Sequence, residues 1–358
     1  MQDRTPPREP RVLTECERVV RGVLPPQWTV QVERDAPLGD GTRADALFSL
    51  RTPTGAQVEL IAEVKREATG RQLRDALARL DALTAARPAA LPLFIAPWLS
   101  PSARERVTAR RVSYVDTTGN VRIVASSPGL FITRDGASKN PWPIDKSLQS
   151  LRGPGAMRAV RALIDFTPPY RVRELARRSE ASAPTLSRVI DLLVRETLAE
   201  RGDRGLVTEL DWIGTIRRWA LDYDVLRTND ATAWLAPRGM DSLVGALRSS
   251  SDRYVVTGSI AARNYVSVAP TRLAMVYVDD PLDAAEKLGL RRVDVGANVM
   301  LLQPHDRGVI ERCVASDGLT TVGPAQLAVD LLTGPGRLSS EGEEVLTWMA
   351  ENVDAWRT

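Results

Sequence analysis

The strongest constraint in this sequence is a helical apolar period that runs from Ser182 to Arg195. Leu186, Val189, Ile190 and Leu193 recur at i, i+3, i+4 and i+7, which gathers them on one face of a helix. Ser182 is a plausible N-cap and Pro184 fits the first turn. Two shorter periodic segments come before it. Met157, Val160, Leu163 and Ile164 predict a first helix stopped at Thr167-Pro168-Pro169, and Val172, Leu175 and Ala176 predict a short second one, with residues 179–182 as the turn. Residues 198–200 and 206–208 then flank Arg201-Gly202-Asp203-Arg204-Gly205 and predict a β-ribbon. The face of the third helix opposite its apolar stripe carries Thr185, Ser187, Arg188 and Asp191.

Charge gives this segment a direction. Residues 151–210 hold 11 arginines against 8 acidic residues, an excess equal to the net charge of +3 of the whole chain. An arginine excess spread over these three helices and the ribbon suits a polyanion. These parts resemble winged helix-turn-helix regulators. The resemblance implies that the third helix enters the major groove of double-stranded DNA and that the ribbon touches the backbone. Base readout then falls to Thr185, Ser187 and Arg188, and phosphate contacts to Arg171, Arg173, Arg201 and Arg204, with no cofactor required. The same architecture also serves protein contacts, in which case Arg177, Arg178 and Arg195 only solvate a face.

The first part of the chain reads differently. Leu13, Cys16, Val19, Val20 and Val23 predict an opening helix that also bears Glu15 and Glu17. Strands at 44–51 and 58–65 flank the turn Thr52-Pro53-Thr54-Gly55, and a helix at 70–86, a strand at 91–95, a helix from 101 to 110 and a strand at 112–115 follow. Ser100 and Pro101 mark a helix start. On the second hairpin strand the two-residue period puts Glu59, Ile61, Glu63 and Lys65 on one face, with Asp45 across the hairpin. Two carboxylates can hold Mg²⁺, and a neighbouring ammonium can orient or deprotonate a water for attack on a phosphodiester. Only four lysines occur in the chain, Lys65, Lys139, Lys146 and Lys287, so Lys65 carries weight. The bland alternative is an exposed Glu63–Lys65 ion pair on a strand edge.

This set resembles the PD-(D/E)XK nuclease-like superfamily over about residues 10–135. The resemblance makes Asp45 and Glu63 candidate metal ligands and Asp45, Glu63 and Lys65 candidate catalytic residues, with Gln72 and Glu15 or Glu17 as further matches. It departs at Ala44, where a proline is usual before the aspartate.

A polar stretch at 136–154, with Gly136, Ser138, Asn140, Pro141, Pro143 and Gly153, predicts a linker. Beyond residue 210, a helix with Trp212, Ile216 and Trp219 is followed by an α/β pattern: helix 240–247, strand 254–257, Gly258-Ser259, helix 260–265, strand 273–278, Asp279-Asp280, helix 281–288, strands at 298–302 and 320–322, and two helices broken at Thr333-Gly334-Pro335-Gly336. This part looks like a degenerate nucleotidyltransferase core, since adjacent Asp279 and Asp280 point to opposite faces if the strand continues. From about Gly153 onward, Val256-Thr257-Gly258-Ser259, Gly296-Ala297-Asn298-Val299 and the run from Gln326 to Leu332 resemble the AbiEi-like antitoxin and regulator family. That resemblance implies promoter binding as a repressor and a toxin partner protein.

The expected architecture is therefore multidomain α/β, with a restriction-endonuclease-like domain (1–135), a linker (136–154), a winged helix (155–210) and a nucleotidyltransferase-like domain (211–358). Composition closes off other classes. The lone histidine, His305, cannot supply a metal triad, and Cys16 and Cys313 are too few for a zinc cluster and suit a reducing compartment as small buried residues. No stretch approaches the roughly 20 apolar residues of a membrane span, and the opening Gln2, Asp3 and Arg4 do not resemble a signal peptide, so a cytoplasmic location with no membrane partner is expected. Three readings stay open: a transcriptional regulator, expected also as a homodimer; a Mg²⁺-dependent endonuclease; and a toxin-binding scaffold.

Overall fold

The computed structural model describes residues 6–38, 41–68, 70–142, 148 and 150–358. Gln2, Asp3, Arg4, Pro143 and Lys146 lie outside the described residues. The protein is multidomain α/β, with two mixed seven-stranded sheets and a separate two-stranded one. It divides into two compact units, residues 1–149 with 191–200 and residues 150–190 with 201–358.

In the first unit, α1 (Glu9–Val23) precedes β1 (Thr29–Pro37), β2 (Arg43–Arg51) and β3 (Gln57–Val64). Helix α2 (Gly70–Ala86) leads to β4 (Leu91–Ala96), α3 (Pro101–Ala109) leads to β5 (Ser113–Asp116), and β6 (Val121–Ala125) and β7 (Leu130–Arg134) complete the sheet. Strand order follows chain order. Strands β3, β4 and β5 run parallel because each pair is joined through a helix, whereas the directly connected neighbours are antiparallel.

Both faces of this sheet are buried. Val12, Cys16 and Val20 of α1 pack with Val58, Leu60, Ala62 and Val64 on one face. Leu73, Leu77 and Leu80 of α2 and Val107 of α3 pack with Leu47, Ile61 and Phe94 on the other. The strand period therefore sends Glu63, like Ile61, toward the α2 and α3 side. Ser100 caps α3 by accepting from the Ala103 amide at 3.1 Å, with Pro101 in the first turn as the sequence predicts. Gly136 and Ala137, at the start of the expected linker, hydrogen-bond to the β5–β6 turn through Asn120 and Thr118. Residues 191–200 belong to this unit. Here the Ser100 and Ser102 hydroxyls donate to the Glu196 carbonyl, and Arg74 pairs with Glu200.

Next in the chain come α4 (Pro154–Asp165), α5 (Val172–Arg178), α6 (Ala183–Arg195), β8 (Ala199–Arg201) and β9 (Val207–Leu210), the last two forming the two-stranded sheet. These elements fall where the sequence pattern predicts three helices and a ribbon. Leu186, Val189, Ile190 and Leu193 are all fully buried.

The rest of the second unit comprises α7 (Trp212–Ala220), α8 (Val225–Thr228), β10 (Asp230–Leu235), α9 (Met240–Arg248), β11 (Tyr254–Thr257), α10 (Ser259–Ala262), β12 (Ala274–Val278) and α11 (Pro281–Lys287). Then follow β13 (Arg291–Arg292), β14 (Val299–Gln303), β15 (Val314–Ser316), β16 (Leu319–Thr321), α12 (Pro324–Leu332), α13 (Leu338–Glu351) and α14 (Val353–Trp356). The sheet order is β13-β10-β14-β12-β11-β16-β15. One face packs Ala274, Val276 and Val278 of β12 against Leu243 and Leu247 of α9 and Ala285 of α11. Trp219 is buried, whereas Trp212 is half-buried with its ring 5.0 Å from that of Trp356. Cys313 is half-buried rather than buried like Cys16.

A charged connector joins α4 to the sheet-bearing part of this unit. Arg161 is 1% exposed. Its guanidinium meets Asp165 one turn on at 3.2 Å, donates to the Gln326 side chain on α12 at 3.1 Å, and reaches the carbonyls of Gly308 and Glu311. Arg158, one turn earlier, holds Asp306 through two 2.8 Å hydrogen bonds. Arg161→Met would leave the Asp165 carboxylate buried without its cation, and the expected loss of stability is about 3–5 kcal/mol in urea denaturation. A loss below about 1 kcal/mol would contradict the role given to this side chain.

Candidate functional site

Helix α6 and the ribbon bring the predicted DNA-contacting residues into one neighbourhood. The backbone bridge between Tyr170 and Val207, with hydrogen bonds of 3.0 and 3.1 Å, ties the start of α5 to β9. Arg171, at the N-cap of α5, therefore lies beside the ribbon. Arg201 on β8 donates to the Ser187 carbonyl at 3.3 Å, which joins the ribbon to α6. Arg171, Arg173, Arg188, Arg201 and Arg204 are all exposed. Thr185 and Ser187 are half-buried. The Thr185 hydroxyl accepts from Ser182 at 2.8 Å, and its amide donates to the Ser182 hydroxyl, so Thr185 is part of the cap. Arg188 is tethered only lightly, from Nε to the Pro184 carbonyl at 3.3 Å. Arg204 sits at the ribbon tip with φ 57°, a left-handed conformation that costs a non-glycine residue of order 1 kcal/mol.

The carboxylates of the first unit also come together. The β2–β3 register pairs Ala46 with Ala62, so Asp45 faces Glu63 one step further on. Asp45 accepts from the Val64 amide at 2.7 Å. Glu63 is fully buried on an interior strand, which removes the reading of an exposed edge ion pair. Lys65 Nζ lies 2.5 Å from Glu63 Oε1. Arg79 of α2 brings Nε to 2.9 Å from Oε2, but too poorly aligned to count as a hydrogen bond, so that interaction is coulombic. Burial pushes the Glu63 carboxyl above its usual range, the Lys65 hydrogen bond pulls it back, and the charge of Asp45 adds to the rise.

This arrangement does not fit Mg²⁺ as it stands. Each Glu63 oxygen already faces a cation, and one Asp45 oxygen is taken by a backbone amide. Among the described residues no group of three or more His, Cys, Asp or Glu side chains could hold a metal. Glu15 and Glu17 do not join the cluster; they lie on α1, which covers the opposite sheet face, and pair with Arg11 and Arg21. Gln72 is exposed on α2.

In the second unit the strand preceding Asp279-Asp280 ends at Val278. Asp280 caps α11, accepting from the Leu282 and Asp283 amides, and Ser259 donates to the buried Glu341 at 2.6 Å. His305 lies in the loop after β14, its amide donating to Asn229. The sheet face opposite α9 and α11 holds a buried polar cluster. Asp330 of α12 accepts from the hydroxyls of Thr257, Tyr223 and Tyr277 and from the Gln326 amide, at 2.7–3.0 Å. Burial raises its carboxyl to about 6, against the pull of those donors.

Sequence reasoning missed Arg79, Arg161 and Asp330. Arg161 left a signal, because it lies four residues from Met157 on the apolar stripe of α4, with Asp165 a further four along. Arg79 left none, since its partner depends on how α2 crosses β3.

No protein-family model matches the chain, and no curated protein matches it. One solved structure, described as EndoMS in its apo form, is similar at 16% identity over 32% of this chain and 47% of its own length, with a TM-score of 0.21. The chain thus spans about half the length of that structure, and a likeness so slight assigns no function. No helix among the described residues is long and apolar enough to cross a membrane.

The buried aspartate gives a pH dependence of stated sign. With its folded pKa above the unfolded value, the folded state holds the proton longer, so this group's contribution is complete below pH about 4 and declines as pH rises through about 6. The stability difference between wild type and Asp330→Asn should fall by ~2 kcal/mol between pH 4 and pH 7 in urea denaturation. A difference that stays flat with pH would contradict this account of Asp330.

Proposed function

We propose that this protein binds double-stranded DNA sequence-specifically and acts as a transcriptional regulator. The observation that carries the reading is the set of exposed arginines, Arg171 and Arg173 at the start of α5, Arg188 on α6, and Arg201 and Arg204 on the ribbon, on elements whose reverse side is buried. Helices α4 to α6 with β8 and β9 are read as a winged helix-turn-helix. Arg188 has the reach and freedom for a base edge, Ser187 lies beside it, and Thr185 acts mainly through its cap with Ser182. Arg171, Arg173, Arg201 and Arg204 are read as contacts to phosphates, which neither need a cofactor nor carry sequence information.

The other domains take supporting roles in this reading. The first is read as PD-(D/E)XK-like in fold. The C-terminal one is read as a nucleotidyltransferase-like fold without catalysis, because Ser259 and Asp280 are committed to Glu341 and to the start of α11. Repression of a toxin operon, a toxin partner, a homodimer and a cytoplasmic location rest on the family resemblance and composition alone. The second reading, a Mg²⁺-dependent endonuclease using Asp45, Glu63 and Lys65, is favoured by their juxtaposition and opposed by Arg79 at the Glu63 carboxylate.

Selection of duplex fragments from random DNA, in the presence of Mg²⁺ or Mn²⁺, tests both. The expected result is retarded, intact DNA with a recoverable preferred sequence. Arg188→Ala should reduce discrimination by about 1–3 kcal/mol for each base edge that the guanidinium reads, with phosphate-driven binding retained. Unchanged discrimination would defeat the assignment of Arg188, and cleavage abolished by Lys65→Ala would replace the regulator with a nuclease.

A further inference from the structure

We infer that Arg79 is the resident cation of the Asp45–Glu63 pair, standing where a divalent ion would otherwise sit and keeping such ions out. Glu63 is fully buried, and its Oε2 has no aligned donor although the Arg79 guanidinium lies 2.9 Å away. An oxygen left in that state, inside protein and facing a charge without a directed hydrogen bond, has the lone pair a metal ion would use. Asp45 stands across the hairpin with one oxygen on the Val64 amide.

Charge balance explains why the ion is excluded. Asp45 and Glu63 bring two negative charges, and Lys65 and Arg79 bring two positive ones. A divalent cation entering this set would leave an uncompensated double charge next to a buried carboxylate, at a cost that rises as the surroundings dry. Arg79 is also positioned independently of Glu63. It extends from α2, whose Leu73, Ala76, Leu77 and Leu80 are anchored in the core, and its guanidinium donates to the Arg43 carbonyl at 3.2 Å. Removing its charge leaves Lys65 alone against two carboxylates, one cation short.

The test is Mn²⁺ binding followed by electron paramagnetic resonance on the full chain, comparing wild type, Arg79→Ala and Arg79→Ala/Glu63→Gln. The inference predicts that Arg79→Ala binds Mn²⁺ at least about tenfold more tightly than wild type, and that the double variant loses the gain. Should the alanine variant not fold, Arg79→Gln, which keeps most of the aliphatic stem, carries the same expectation. Wild type binding as tightly as the Arg79 variant, or a folded Arg79 variant that gains no binding, would overturn the inference. Because the readout involves no DNA, it stands or falls apart from the regulator reading.

Discussion

A full positive charge lies where water does not reach it, at Arg161, and the second unit is organised around its compensation. Burying a guanidinium costs several kcal/mol unless its donors all find partners. Here Asp165 supplies the opposite charge, while Gln326 and the carbonyls of Gly308 and Glu311 take the remaining donors. The Gln326 side chain, oriented by Arg161 on its oxygen, turns its amide to Asp330, and Asp330 collects Thr257, Tyr223 and Tyr277. One hydrogen-bonded chain therefore runs from α4, through α12, to the centre of the sheet. Helix α4 also packs against α5, whose N-terminal end carries Arg171 and Arg173.

Away from the Arg161–Asp165 network, charge is handled in two ways. In the first unit, the buried Glu63 is matched by Lys65 and Arg79, and the half-buried Glu59 by Arg87 through two hydrogen bonds. Such pairing occupies carboxylate oxygens that would have to be free to hold a metal. In the second, basic side chains on α5, α6 and the ribbon are left facing solvent, with Arg204 held in a left-handed conformation that a glycine would adopt more easily.

Much of the fold was legible because its elements bury one face each. The stripe of α6 is repeated in its burial, and the hairpin β2–β3 brings Asp45 opposite Glu63 as the two-residue period requires. Strand β1 was not legible, since Glu33, Arg34 and Asp35 break any apolar alternation along a mostly exposed strand. Strand β6 was readable in principle from Val121, Ile123 and Ala125, and β10 less so, because Asp230, Thr232 and alanines dilute its pattern. The site was legible at the level of which residues meet across a hairpin. What covers them was not, because Arg79 reaches Glu63 only through the packing of α2 over the sheet. Likewise Thr185 reads as solvent-facing from helical angle alone, and only its bond to Ser182 reveals a capping role.

The most direct test of the central claim is the salt dependence of affinity for duplex DNA, measured for wild type and for the variant Arg171→Gln/Arg173→Gln/Arg201→Gln/Arg204→Gln. Four arginines on phosphates predict that log K falls with log salt at a slope of about −3 to −4 in the wild type, and that the slope collapses toward zero in the variant. Binding too weak to measure at low salt, or a slope the variant leaves unchanged, would contradict the assignment of this face to DNA.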